Sequence, residues 1–174
     1  MDPVRQVADA VLYEGYLLWP YRRSAMKNTR RWTFGGVYPR DHSRGHPDDR
    51  WEMRTECLVR GGERAPVDVS VRFLHVVRRQ VEVDGVPVDE VTVRGERHLS
   101  WDEATEREVA GVTGARVPVS VPAGSEREDL GAGAAIVRSW RGLEGAVEIS
   151  SRRLGEGLRR ITVRIANETP FFGT

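Results

Sequence analysis

The sequence predicts a mainly β protein, an antiparallel β-sandwich or open barrel, with an N-terminal helix and one short acidic helix. Three observations carry this. Val67, Val69, Val71 and Phe73 alternate with Asp68, Ser70 and Arg72, and Ile161, Val163 and Ile165 alternate with Thr162, Arg164 and Ala166. That is the period of a strand with one face in a core and one in water. Seven or eight such segments recur along the chain with turn signals between them, the pattern of an all-β domain. Helical spacing is confined to the first residues and one short acidic stretch.

At 174 residues and 39% hydrophobic content, the chain suits a single domain with one core. Within it, residues 1–40 read as a helix and a basic-aromatic segment packed on a β core formed by 41–174. Basic and acidic residues nearly cancel, 27 against 26. A nucleic-acid binder more often shows a basic excess, so charge argues against that class. The lone cysteine, Cys57, excludes an internal disulfide and suits a reducing compartment. No secretory leader and no membrane-length apolar run is recognisable, and a cytoplasmic protein is expected. Asn167-Glu168-Thr169 matches a glycosylation acceptor but carries no weight in that setting.

In chain order, Asp2-Pro3 is a helix start, and Val4, Val7, Ala8, Val11 and Leu12 follow at helical spacing. The helix is expected over 3–14, extending at most to 19, because Pro20 ends it; Asp9 is expected to face solvent. Residues 21–40 carry Arg22, Arg23, Lys27, Arg30, Arg31 and Arg40 with no acid. Within them Trp32-Thr33-Phe34 reads as a short strand. Residues 39–50 read as a polar loop. Strands are expected at 51–59, from Val67 onward, at Val81–Val83 paired through an Asp84-Gly85 turn, from Val91, and over 117–121, 136–140, 146–151 and 158–166. Where the alternation slips at Phe73-Leu74, a bulge is expected. Ser100-Trp101-Asp102-Glu103 reads as a capping box opening an acidic helix over 101–109, and 122–133 as a loop.

The common catalytic signatures are absent: no phosphate-binding glycine loop, no HExxH, no GxSxG. No catalytic residue is assigned and no cofactor is expected. Asp41, His42, His46 and Asp48, with Asp49, offer imidazole and carboxylate donors for a divalent metal; their spacing matches no strong pattern, and a solvated loop is the competing reading. His75 reads as a satisfied core or edge histidine, His98 as a surface one and Cys57 as a buried strand residue. Glu103, Glu106 and Glu108 are explained by capping and the helix dipole before acid–base chemistry. The densest recognition chemistry is Tyr13, Tyr16, Trp19, Tyr21, Arg22, Arg23, Arg30, Arg31 and Trp32. Their first reading is internal, the arginines pairing with the acidic helix at 101–109 and the aromatics covering one end of the sandwich. The same residue types anchor protein interfaces, the second reading, and stack nucleic-acid bases, the third.

At DAVLYEGYLLWPYRRSAMKN and RRWTFGGVYP, and more loosely at TECLV, SWDEATEREV and LRRITVRIANETP, the chain resembles an uncharacterised actinobacterial family encoded near nickel–iron (NiFe) hydrogenase genes. The resemblance implies an accessory role beside a hydrogenase component and a longer protein, of which this chain matches the N-terminal half. The expectation is a non-catalytic protein-docking module using the basic-aromatic residues. The alternatives are a metal-binding protein or enzyme built on the His42/His46 loop, and a nucleic-acid binder. No membrane partner is expected, and enzymatic activity is the less favoured class.

Overall fold

A computed structural model describes residues 3–14, 36–62 and 65–172. Among them are two short helices, α1 (Pro3–Glu14) and α2 (Arg40–Gly45), and strands β1 (Glu52–Arg60), β2 (Asp68–Val83), β3 (Val86–Val88), β4 (Glu90–Val93), β5 (Glu96–Leu99), β6 (Trp101–Val112), β7 (Arg116–Val121), β8 (Gly124–Gly131), β9 (Ala134–Trp140), β10 (Leu143–Gly155) and β11 (Leu158–Asn167). The protein is mainly β and every strand pair is antiparallel.

Two sheets form the sandwich. The first, sheet A, has the order β1-β11-β10-β7. The second, sheet B, has the order β3-β2-β9-β8, with β6 also paired to β2. The core lies between them, where Val71 of β2 meets Val147 and Ile149 of β10 and Ile161 and Val163 of β11. Val81, Val147 and Ile161 are the largest fully buried side chains. Each contributes on the order of 1.5–3 kcal/mol of hydrophobic stabilisation. The hairpin of β4 and β5 lies against β2, where the Arg79 guanidinium donates to the Leu99 carbonyl.

Strand β2 runs its 16 residues without a bulge, in unbroken register with β6 from Asp68 to Arg79. The expected slip at Phe73-Leu74 is a change of face content, not of phase. Val71, Phe73, His75, Val77 and Val81 share the inner face, while Leu74 and Val76 are apolar residues on the outer one, Val76 being 47% exposed. The Asp84-Gly85 turn appears as expected, with positive φ at both residues (50° and 78°). That is the type I′ geometry, whose twist matches its flanking strands.

Three further expectations are corrected. The acidic helix at 101–109 is the strand β6. Its glutamates are held by arginines on neighbouring strands: Arg72 donates to Glu106 at 2.8 Å and Arg138 to Glu103 at 3.0 Å, while Ser70 donates to Glu108 at 2.6 Å. Tertiary pairing overrides the local helical signal. Ser100, the expected helix cap, instead accepts from the Val81 amide at 2.8 Å and donates to the Val88 carbonyl at 2.6 Å. The loop expected over 122–133 contains β8, whose Arg127 and Glu128 bond Glu82 and Arg138. The polar loop at 39–50 contains α2, closed by Ser43 donating to the Pro39 carbonyl from both its amide (3.1 Å) and hydroxyl (3.2 Å).

Helix α1 spans the predicted residues and packs on the outer face of sheet B. Asp9, expected in solvent, forms an ion pair with Arg72 at 2.5 Å, and Arg72 is also held by Glu106 at 2.7 Å. The same pairing keeps the Arg72 guanidinium firmly charged: its hydrogen bonds to Glu106 first, then to Asp9, raise its pKa.

Candidate functional site: the open edge of strand β1

Strand β1 lies at the end of sheet A, and among the described residues its only strand partner is β11. Which of its backbone groups face outward follows from the flanking bonds. The Asn167 amide donates to the Trp51 carbonyl at 2.9 Å, and the Gly61 amide donates to the Gly157 carbonyl at 2.9 Å. Trp51 and Gly61 therefore turn their main chain toward β11. In an antiparallel ladder this direction alternates residue by residue. Glu52, Arg54, Glu56, Leu58 and Arg60 consequently present their amides and carbonyls away from β11. The same parity places the Arg50 carbonyl outward, where it accepts from the Tyr38 amide at 2.8 Å. The edge is occupied at Arg50 and open from Glu52 onward among the described residues.

The strand is also unusually bare in its side chains. From Glu52 to Leu58 every residue is exposed, Leu58 at 65% and Met53 at 39%. Cys57, expected to be buried, is exposed. It faces the same side as Ile161, its register partner, but β1 lies at the margin of the sheet, beyond the packed centre. A long uncovered edge with apolar side chains is the kind of surface that pairs with another strand.

Beside the edge, the outer face of sheet A carries an ionic lattice. Arg54, Arg164, Glu148 and Arg116 stand in register across all four strands. They stand around a shallow depression of about 380 Å³ floored by the small residues Gly114, Ala115, Ser150 and Thr162. The arginines are neutralised at its rim. Glu52 holds Arg164 at 2.7 Å, Glu56 holds Arg54 at 2.5 Å, and Glu168 holds Arg116 at 3.1 Å. The hydrogen bond from Arg54, then that from the Thr162 hydroxyl, keeps the Glu56 carboxyl below its ordinary pKa. Arg164 is stabilised in its charged form by Glu52 and then Glu148. Trp51, just before β1, is flanked by the guanidinia of Arg40 at 4.8 Å and Arg164 at 5.2 Å from its ring, a cation–π arrangement that fixes the start of the strand.

The histidine loop is held by contacts within itself and with Tyr38 and Phe171. His42 Nε2 lies 2.8 Å from Asp49 Oδ2. Its ring stacks on His46 at 4.1 Å and 6°, stacks on Tyr38 at 5.3 Å, and meets the edge of Phe171 at 5.1 Å. Parallel imidazoles direct their in-plane nitrogen lone pairs side by side, not to a common point. His46 Nδ1 bonds the His42 carbonyl at 3.1 Å, Asp41 pairs with Arg44 at 2.7 Å, and Asp48 is exposed. Among the described residues no group of three or more His, Cys, Asp and Glu is placed to hold a metal ion.

Of the aromatic and basic residues expected to dock a partner, Tyr13 belongs to α1. Tyr16, Trp19, Tyr21, Arg22, Arg23, Arg30, Arg31 and Trp32 lie outside the described residues. His75, expected to be satisfied, is buried on β2 with no hydrogen-bond partner at Nδ1. Burial first, and the nearby Arg107 charge second, push its pKa down, partly offset by a bond to the Arg141 backbone. His98, expected at the surface, is half-buried on β5. The open edge was invisible in sequence, because Glu52, Arg54 and Glu56 acquire a direction only once β11 is known to be their neighbour.

No protein-family model, curated protein or solved structure matches the chain.

Proposed function

We propose that this protein is a non-catalytic docking module that takes an extended segment of another polypeptide onto the open edge of β1. The observation that carries this reading is the run of outward-facing main-chain groups from Glu52 to Arg60, flanked by exposed Met53 and Leu58. Main-chain hydrogen bonds would supply affinity, and the alternating side chains of the added strand would supply specificity. The resemblance of residues 9–38 to an actinobacterial family encoded beside nickel–iron hydrogenase genes supports an accessory role toward a hydrogenase component in the cytoplasm. No helix among the described residues is long and apolar enough to cross a membrane.

The test is affinity capture from the native host with three baits: the wild type, Glu56→Pro, and a variant with Arg22, Arg23, Arg30 and Arg31 changed to Glu. The Glu56 amide points away from β11, so proline there removes an edge donor and spares the main-chain hydrogen bonds of the β1–β11 ladder, while also removing the carboxylate's bonds to Arg54 and Thr162. A hydrogenase component retained by wild type and lost with Glu56→Pro supports docking on the edge. Loss only with the arginine variant moves the docking surface to the basic-aromatic segment. Capture by none of the folded baits overturns the proposal.

A further inference from the structure

We infer that the open edge of β1 also pairs with the β1 edge of a second copy, so that the docking strand is masked in a symmetric dimer until a partner displaces it. This rests on the reading of β1 as a docking edge and names its first occupant. The argument is one of register. A second copy laid antiparallel must place outward-facing residues opposite outward-facing residues. One such alignment sets Arg54 opposite the partner's Glu56 and, by symmetry, Glu56 opposite the partner's Arg54. Shifting it by one step sets Arg54 against the partner's Arg54. Shifting it the other way sets Glu56 against the partner's Glu56. Opposite charges across a strand pair stabilise it and like charges destabilise it, so charge rejects both neighbouring registers. Among the charge-matched registers this one pairs the longest part of the open stretch, Glu52 to Leu58.

The selected register also fits the length of the open stretch. Hydrogen-bonded pairs form between Glu52 and the partner's Leu58 and between Arg54 and the partner's Glu56, each twice by symmetry. The next outward residue before Glu52 is Arg50, whose carbonyl the Tyr38 amide already takes. Pairing therefore stops where the edge is closed. At the centre Thr55 faces the partner's Thr55, a favourable cross-strand pair, and Met53 faces the partner's Cys57. The formal net charge of +1 raises little long-range repulsion between copies, and a contact of this kind is isologous and closes at a dimer.

The experiment is sedimentation equilibrium of the full chain across a concentration series, with variants and a disulfide probe. Wild type is expected to dimerise reversibly. Arg54→Glu sets Glu opposite Glu twice and should weaken the dimer by about tenfold or more, and Arg54→Glu with Glu56→Arg should restore it. Glu56→Pro should be monomeric with an unchanged far-ultraviolet spectrum. Under mild oxidation, Thr55→Cys in a Cys57→Ser background should form an interchain disulfide, because the two positions face each other in a close, non-hydrogen-bonded pair. Native Cys57 should not.

A wild type that stays monomeric overturns the inference and leaves the docking reading to the capture experiment. A dimer indifferent to Glu56→Pro, or one cross-linked through native Cys57, overturns it as well, since each places the contact elsewhere or in another register.

Discussion

Arg54 stands directly opposite Arg164 across the β1–β11 pair, on the outer face of sheet A. Two like charges in register are unfavourable unless each is answered. Here Glu56 answers Arg54 and Glu52 answers Arg164. The acids are therefore part of how β1 stays on its sheet. The Glu56 pKa is lowered from 4.5, chiefly by Arg54 and next by Thr162. A lowered carboxyl pKa contributes stability that is present above pH 4.5 and is lost as pH falls through the folded value. Glu56→Gln is expected to lower the melting temperature slightly near neutral pH. It should also flatten the loss of stability below pH 4.5 compared with wild type, and thermal melts across an acid series check both.

His75 works in the opposite pH direction to a surface histidine gaining a partner. Burial and the Arg107 charge keep it below its ordinary 6.5. The unfolded chain takes up a proton below pH 6.5 that the folded chain resists. Stability is thus undiminished above pH 6.5 and falls as pH drops below it. His75→Leu removes both the titration and the unpartnered ring nitrogen. The variant is expected to melt above wild type at pH 5, with a smaller gap at pH 8, as calorimetry at the two pH values would show.

Ser100 bridges two strands through one hydroxyl, accepting from Val81 and donating to Val88. Ser100→Ala leaves the Val81 amide and the Val88 carbonyl without that bridge in a half-buried site. A loss of about 1–3 kcal/mol is expected, measurable by urea unfolding. Glu103→Ala, which a helix cap at Ser100 would couple to it, should instead couple to Arg138, its partner at 3.0 Å, in a double-mutant cycle.

Gly145 on β10 leaves no room for a side chain. A Cβ there would lie 2.3 Å from the Ala166 carbonyl oxygen, which belongs to the backbone of the adjacent strand. Gly145→Ala is expected to cost about 1–3 kcal/mol by forcing that backbone apart. Gly61→Ala, which meets nothing within 4 Å, should sit within about 0.5 kcal/mol of wild type. Paired denaturant titrations test the contrast.

The alternation in Val69-Val71-Phe73 and Ile161-Val163-Ile165 was legible in sequence because each strand has one face in the core. The Asp84-Gly85 turn was legible because its backbone demands positive φ. The segment 101–109 was not, since its acids satisfy both a helix cap and a set of arginines on neighbouring strands; only the arginine positions decide between them. The same limit hid the candidate site. Exposure at Cys57 and Leu58 depends on β1 being the outermost strand of its sheet among the described residues, which no local pattern records.

The register of β1 has a consequence for the order in which the chain is made. Glu52 pairs with Ala166 and Arg60 with Leu158, so the strand made first among those of sheet A waits for the last. During synthesis at roughly 5–20 residues per second, β1 leaves the ribosome several seconds before β11 can. Throughout that interval both of its edges are unpaired, with Met53 and Leu58 uncovered. Such an exposed nascent strand is prone to mispairing, so the surface we propose for recognition in the finished protein is also a vulnerable stretch while it is being made.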